Sequence, residues 1–197
     1  MTLGSPILSL MGATTIYLVR HAHADWQRDE ARALSEAGLK ASQVVGTLLS
    51  SLPITAIYSS PVRRSVETVT PLADRLGIRP ELVHDLRERE LPVAPSGEFD
   101  RIVADTWRWP ESATAGAESN VNAQTRGLAA VRSILTRHAG QHVVVSTHGN
   151  LLALILNGLD SAFGYDFWRR LSFPDVYRVE FEGTAMTRVE RIWNWAA

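Results

Sequence analysis

The chain has no cysteine, which excludes disulfides, thiolate nucleophiles and sulfur-ligated metals while leaving the redox compartment open. It has no surplus of charge either. Its 20 basic and 21 acidic residues give a formal net charge of −1, and no block of like charge stands out, so nothing suggests a nucleic-acid or anionic-membrane binder. All but one of those basic residues are arginine, a bias that composition explains as readily as function. No stretch approaches the roughly 20 apolar residues of a membrane span. The apolar run Ile7–Met11 has no basic residue before it and is too short for a signal core. Residues 1–13 are therefore expected to be a flexible leader, or the first of them to reflect a start site placed upstream of Met11, and the location to be cytoplasmic. What the chain does have is length and apolar content. With 197 residues and 45% hydrophobic composition, residues 1–197 are read as a single domain with a sizeable core.

Apolar patterning divides the chain into alternating strands and helices. A β-branched and aromatic run at residues 15–20 reads as a strand, and Ser35 can cap a helix with Ala41, Val44, Val45, Leu48 and Leu49 on one face. After Pro53, Ile54–Tyr58 reads as a second strand. Pro61 suits a first helical position, Val62, Val66, Val69, Ala73 and Leu76 suit a buried face, and Gly77 a helix stop. Such alternation predicts an α/β fold, a three-layer α/β/α sandwich on a mostly parallel sheet. Prolines and glycines surround one helix, Phe99–Trp109, between Glu88 and Asn120, which suggests a lid or insertion at about 89–121. A long helix at 122–138, a strand from Val143, buried helices at 151–156 and 163–170, and a C-terminal hairpin of 176–181 with 186–195 complete the reading. The hairpin supplies an antiparallel edge.

Two short β runs end in chemistry-bearing residues: the first in Arg20-His21, the second, His142–Thr147, in His148-Gly149-Asn150. Ligands of open α/β sheets bind beyond the carboxyl ends of the strands. As neighbouring parallel strands, about 5 Å apart, the two runs would turn both imidazoles toward one ligand. Arginine suits an anion there, and histidine a nucleophile or proton carrier. Arg64 is a second candidate anion clamp, since the first turn of a helix favours negative charge.

Together, Arg20-His21, the segment Ser59-Ser60-Pro61 to Thr68, Leu86-Arg87-Glu88 and Thr147-His148-Gly149 resemble the histidine phosphatase superfamily, the phosphoglycerate mutase-like proteins, in the family's order and at compatible spacing. Leu34-Ser35 with Gly38 resembles the signature that opens that family's first helix. The resemblance implies the phosphoglycerate mutase-like fold and a phosphomonoester hydrolase needing neither metal nor cofactor. It makes His21 the nucleophile that becomes phosphorylated, and Arg20, Arg64 and His148 the phosphate pocket. Glu88 becomes the acid that protonates the leaving alcohol, with Glu90 as its substitute, and Gln27, His23 and Asn150 become possible substrate contacts. Phosphoryl transfer needs positioning and charge neutralisation above all, which these residue types supply. His21 has to be neutral at the attacking nitrogen, and Glu88 has to carry a proton, a state favoured by a nearby dianionic phosphate.

Departures from the family pattern leave the substrate open. Ala22 replaces the glycine usual after the nucleophile and resembles the compact branch that includes phosphohistidine protein phosphatases, as does the spacing from Asp29 to Gly38. The Leu-Arg-Glu and Thr-His-Gly pieces look more like small-molecule phosphatases. His23 stands where many members carry an acid, so it either lines the substrate mouth or fills space. Trp26 is read as packing, His84, His138 and His142 as ordinary strand or helix-end residues, and Trp107 and Trp109 as lid residues that could touch a substrate. The segment after Glu88 looks too short for a phosphoglycerate-type mutase's insertions, which favours transfer to water. Partners are expected to be a phosphorylated small molecule or phosphoprotein, with no nucleic acid or membrane. A rival reading takes His21, His23 and Asp25 as the start of a metal-dependent hydrolase site. Another makes the protein an inactive binder of phosphorylated partners.

Overall fold

The structure is a computed structural model that describes residues 12–25, 31–91, 97–113 and 116–194. Residues 1–11 of the expected leader, Trp26, Gln27, Asp29 and the hairpin's end at Trp195 lie outside the described residues. Strands β1 (Thr14–Arg20), β2 (Ile54–Ser59), β3 (Glu81–Leu82), β4 (His142–Thr147), β5 (Asp175–Glu182) and β6 (Ala185–Arg191) form one sheet in the order β3-β2-β4-β1-β5-β6. The first four strands run parallel, β5 pairs antiparallel with β1 and β6 antiparallel with β5, the mixed α/β arrangement expected. Among the described residues no helix is long and apolar enough to cross a membrane.

Alternation along the central strands builds two cores. Tyr17 and Val19 of β1 and Val144 of β4 pack with Val45, Leu49, Val69 and Leu72 of helices α1 (Glu36–Ser50) and α2 (Arg63–Leu76). Ile16, Leu18, Val143 and Val145 project to the opposite face, onto helices α4 (Asn120–Arg137) and α5 (Gly149–Leu159). Because both faces are covered, the central strands are apolar throughout rather than alternately polar.

Several boundaries differ from expectation for identifiable reasons. Pro61 is not the first helical residue; α2 starts at Arg63 with Val62 as its N-cap. Its buried residues are Arg64, Ser65, Thr68, Val69, Pro71, Leu72 and Ala73, whereas Val66 and Leu76 are only partly covered. The hydroxyls displace valine because they face the polar strand ends: Ser65 Oγ lies 2.8 Å from Ser146 Oγ, and Thr68 Oγ1 accepts from the Ala22 N–H at 2.9 Å. Helix α4 begins earlier than read, since Ser119 Oγ accepts from the Asn122 N–H. The two-residue strand β3 and the 3-10 turn His84–Leu86 are too short to leave a periodic signal. In the expected lid, α3 spans Phe99–Arg108 and meets the segment of α6 (Tyr165–Arg169), where Tyr165 donates to the Asp100 carbonyl and the Phe99 and Trp168 ring centroids are 6.4 Å apart.

Candidate active site

Strand pairing brings the two motifs together. Arg20 ends β1 opposite Thr147, the end of β4, and the His21 N–H donates to the Thr147 carbonyl at 3.0 Å. On the other side of β4, the Ser60 N–H donates to the Ser146 carbonyl at 2.9 Å. Three strand ends are thereby locked at one level, with His21, His148 and Ser60 just beyond them. The first turn of α2 then carries Arg64 over the same point.

Hydrogen bonding fixes the state of each imidazole. A carbonyl can only accept, so His21 Nδ1–H donates to the Ala22 oxygen at 2.7 Å, which leaves the lone pair on Nε2. Arg64 Nε–H donates to that lone pair at 3.2 Å, and Arg64 Nη2 donates to His148 Nδ1 at 3.3 Å. His148 Nε2–H therefore donates to Ser60 Oγ at 2.8 Å. The His21 and His148 ring centroids are 5.1 Å apart, so the two rings and the Arg64 guanidinium form one cluster.

Burial sets the charges. His21, Arg64 and His148 are 5%, 6% and 0% exposed. Burial first, and then the fields of Arg64, Arg20 and Arg32, push the His21 imidazole down to about 3, against its bond to the Ala22 carbonyl. His148 is held well below its ordinary value by burial first and then by His21 and Arg64. Burial also lowers the Arg20 guanidinium to about 10, opposed by the Glu88 and Asp175 carboxylates, so it keeps its charge at neutral pH. Arg20 Nη1 donates to the Leu171 carbonyl at 2.8 Å, while its buried Nε has no partner among the described residues. Neutral imidazoles between charged guanidiniums, one of which keeps an unused donor, make a site for a polyanion.

Glu88 reaches the same end of the molecule as a cap on α5. Its Oε2 accepts from the Asn150 N–H at 3.0 Å, and its Oε1 accepts from Leu151 and Arg89 N–H groups at 3.0 and 2.9 Å. That distant cap is why α5 starts at Gly149 rather than Leu151 as read. Its own turn is clasped from α4 by Arg126, which donates to the carbonyls of Asp85, Arg87 and Glu88 and pairs with Glu118 at 2.7 Å. Thr147 Oγ1 also donates to the Leu86 carbonyl. Glu90 is exposed and faces Arg87 at 3.8 Å, so it does not substitute for Glu88 in this structure. Asn150 is buried at the start of α5 and is joined to Glu88 by its backbone.

His23 lies outside the buried cluster. It is exposed, with Nδ1 at 2.8 Å from Ser35 Oγ. A Cβ at Gly38 would run into the His23 carbonyl, which explains the glycine in the first turn of α1. The rival metal reading is not supported by this placement: among the described residues no three His, Asp or Glu side chains converge as a metal-holding group, those of His21, His23 and Asp25 included. Trp107 packs on the core of the α4 and α5 face, whereas Trp109 is exposed. A cavity of about 230 Å³ under α3, lined among others by Arg89, Leu91, Ile102 and Glu118, includes none of Arg20, His21, Arg64 and His148.

Residues that the motifs did not reveal complete the surroundings. Phe173 lies with its ring centroid 3.4 Å from Arg20 Cζ and 5.4 Å from the His21 ring. Asp175, fully buried and paired across strands with Arg20, accepts from Arg191 Nε at 2.8 Å. Gly149 packs so tightly that a Cβ there would lie 2.8 Å from Arg20 Nε and 2.9 Å from its Cζ.

The profile of the histidine phosphatase superfamily (branch 1) matches residues 16–195, and the chain belongs to that family. A probable phosphoglycerate mutase of Yersinia pestis is 28% identical over 158 residues, 73% of this chain and 74% of that protein. Among solved structures, Bacillus stearothermophilus YhfR superposes with a TM-score of 0.73 at 26% identity over 89% of this chain and 95% of the other. A mycobacterial glucosyl-3-phosphoglycerate phosphatase does so with a TM-score of 0.74 at 23% identity, covering 93% and 100%.

Proposed function

We propose that this member of the histidine phosphatase superfamily hydrolyses phosphomonoesters through a phosphohistidine on His21, without a metal ion. The observation that carries the reading is the tautomer of His21. Its Nδ1–H is committed to the Ala22 carbonyl, which leaves Nε2 a lone pair inside a cluster of guanidiniums. Arg20, Arg64 and His148 surround the phosphoryl oxygens, and the unused Arg20 Nε provides a further donor. Nε2 attacks phosphorus as the P–O bond to the alcohol breaks. A water then attacks the phosphohistidine, returning inorganic phosphate and free His21.

Glu88 is the acid of this scheme. With all its bonds accepting from N–H groups, it has to take up a proton and free an oxygen as the dianion arrives, then pass that proton to the departing alkoxide. The segment 89–121 acts as a lid within one domain spanning 1–197, and the location is cytoplasmic. Names among the relatives include both mutase and phosphatase. Hydrolysis is favoured here because the described residues of the lid offer one short helix, α3, as an enclosure for a second hydroxyl.

The test is to mix the protein with a radiolabelled phosphomonoester, quench, and look for an acid-labile, base-stable label. Labelling at His21, loss of label and turnover in His21→Ala, and unchanged rates in chelator are expected. Label or turnover persisting in His21→Ala, or activity lost in chelator and restored by a metal, would overturn the proposal.

A further inference from the structure

The cluster around His21 accounts for a phosphoryl group, and the alcohol half of the substrate calls for a partner of its own among the described residues. Exposure of one large apolar side chain is ordinary, and Phe173, 46% exposed, would mean little for that reason alone. Its position is what matters. One side of the ring takes the Arg20 guanidinium, at 3.4 Å from Cζ to the ring centroid. The ring also leans on His21 at 5.4 Å and meets His23 nearly edge-on, at 6.3 Å and 87°. It thus touches both residues of the Arg-His motif while almost half of it faces water.

The segment that bears the ring is pinned. Leu171 accepts from Arg20, Ser172 Oγ donates to the Pro174 carbonyl, and the Ser172 N–H donates to the buried Asp175 carboxylate. His23, the other ring of the pair, is anchored by Ser35. The open side of the nucleophile therefore has a fixed aromatic rim.

Flat apolar surface is what the rim offers, and aromatic faces and edges pair best with other rings.

We propose that Phe173, with His23 at its edge, is a specificity-determining residue that selects phosphomonoesters of planar apolar alcohols, aryl phosphates above all; this rests on the phosphatase reading given above. Steady-state kinetics on phenyl phosphate and glycerol 2-phosphate test it, comparing each variant with the wild type on one substrate at a time so that leaving-group reactivity cancels. Phe173→Ala is expected to raise KM for phenyl phosphate about three- to tenfold, the usual worth of an aromatic pair. It should leave kcat in place and change glycerol 2-phosphate constants less than twofold. Phe173→Leu should fall between, and Phe173→Tyr should behave as wild type; these two decide the matter if the alanine variant does not fold. A kcat loss shared equally by both substrates would mean that the ring merely steadies Arg20, and overturns the proposal, as do unchanged constants on both. Absence of turnover of either ester by the wild-type protein overturns the phosphatase reading itself, a failure seen before any substitution is made.

Discussion

Arg64 Nε lies 3.2 Å from His21 Nε2 and directs its N–H into the lone pair that would attack phosphorus. Arg64 thus covers the nitrogen of the proposed nucleophile. A phosphate dianion is a stronger acceptor than an imidazole, so in the proposed mechanism its binding would draw the guanidinium off and bare that nitrogen.

The first prediction concerns this exchange. Arg64→Met removes a donor aimed at developing charge, and kcat should fall about 10²- to 10³-fold, the typical cost of one such donor. Arg64→Lys should recover only part of it, since an ammonium cannot reach both imidazoles with a planar fork. Rapid-quench measurement of phosphoenzyme formation checks both, and full activity in the lysine variant would show that the two-imidazole bridge is unimportant.

Glu88, the proposed acid, also caps α5, and the two duties are separable. Glu88→Gln should slow poor leaving groups such as alkyl phosphates far more than nitrophenyl phosphate, because only the former need a proton. Equal losses would mean that another group is the acid. Glu88→Ala should in addition lower stability by about 1 kcal/mol through the lost cap on α5, read from urea denaturation; glutamine retains an accepting oxygen and should be milder.

Arg126 supports that carboxylate from a distance. Removing it in Arg126→Ala leaves three carbonyls and the Glu118 carboxylate without their donor, at a cost of about 1–3 kcal/mol. Its kinetic mark should be that of a loosened acid, with poor leaving groups slowed more than good ones. A drop in stability with an unchanged leaving-group dependence would deny it a positioning role.

Protonation of His21 sets a stability profile. Unfolded, the imidazole titrates near its ordinary 6.5, while the folded side chain titrates at about 3. Between these values the unfolded chain binds the extra proton, so stability is full above about 6.5 and declines as pH falls toward 3. His148 acts in the same direction. Melting temperatures across this range should fall with pH, and His21→Asn should flatten the slope. An equally steep slope in the variant would assign the loss elsewhere.

The Arg-His and Thr-His-Gly pieces were legible because each is a local run ending a β-branched strand, and parallel strand ends are neighbours by geometry. Glu88 could be placed by motif, but its cap on α5 could not, since 62 residues separate it from the Asn150 N–H. The same holds for Arg126, a helical arginine whose partners all lie elsewhere in the chain. Phe173 has no local pattern to announce it, because its meaning comes from Arg20, far away in sequence. Val66 misled for the opposite reason. Helical periodicity favoured valine on the buried face, but the face of α2 that meets the strand ends needs hydroxyls for Ser146 and Ala22.

The contact between Gly149 and the Arg20 side chain couples the two positions physically. A methyl group added at 149 would have to be met by a shift of the Arg20 guanidinium, the group proposed to hold the anion, so the small residue after the second histidine is a shadow cast by the arginine before the first.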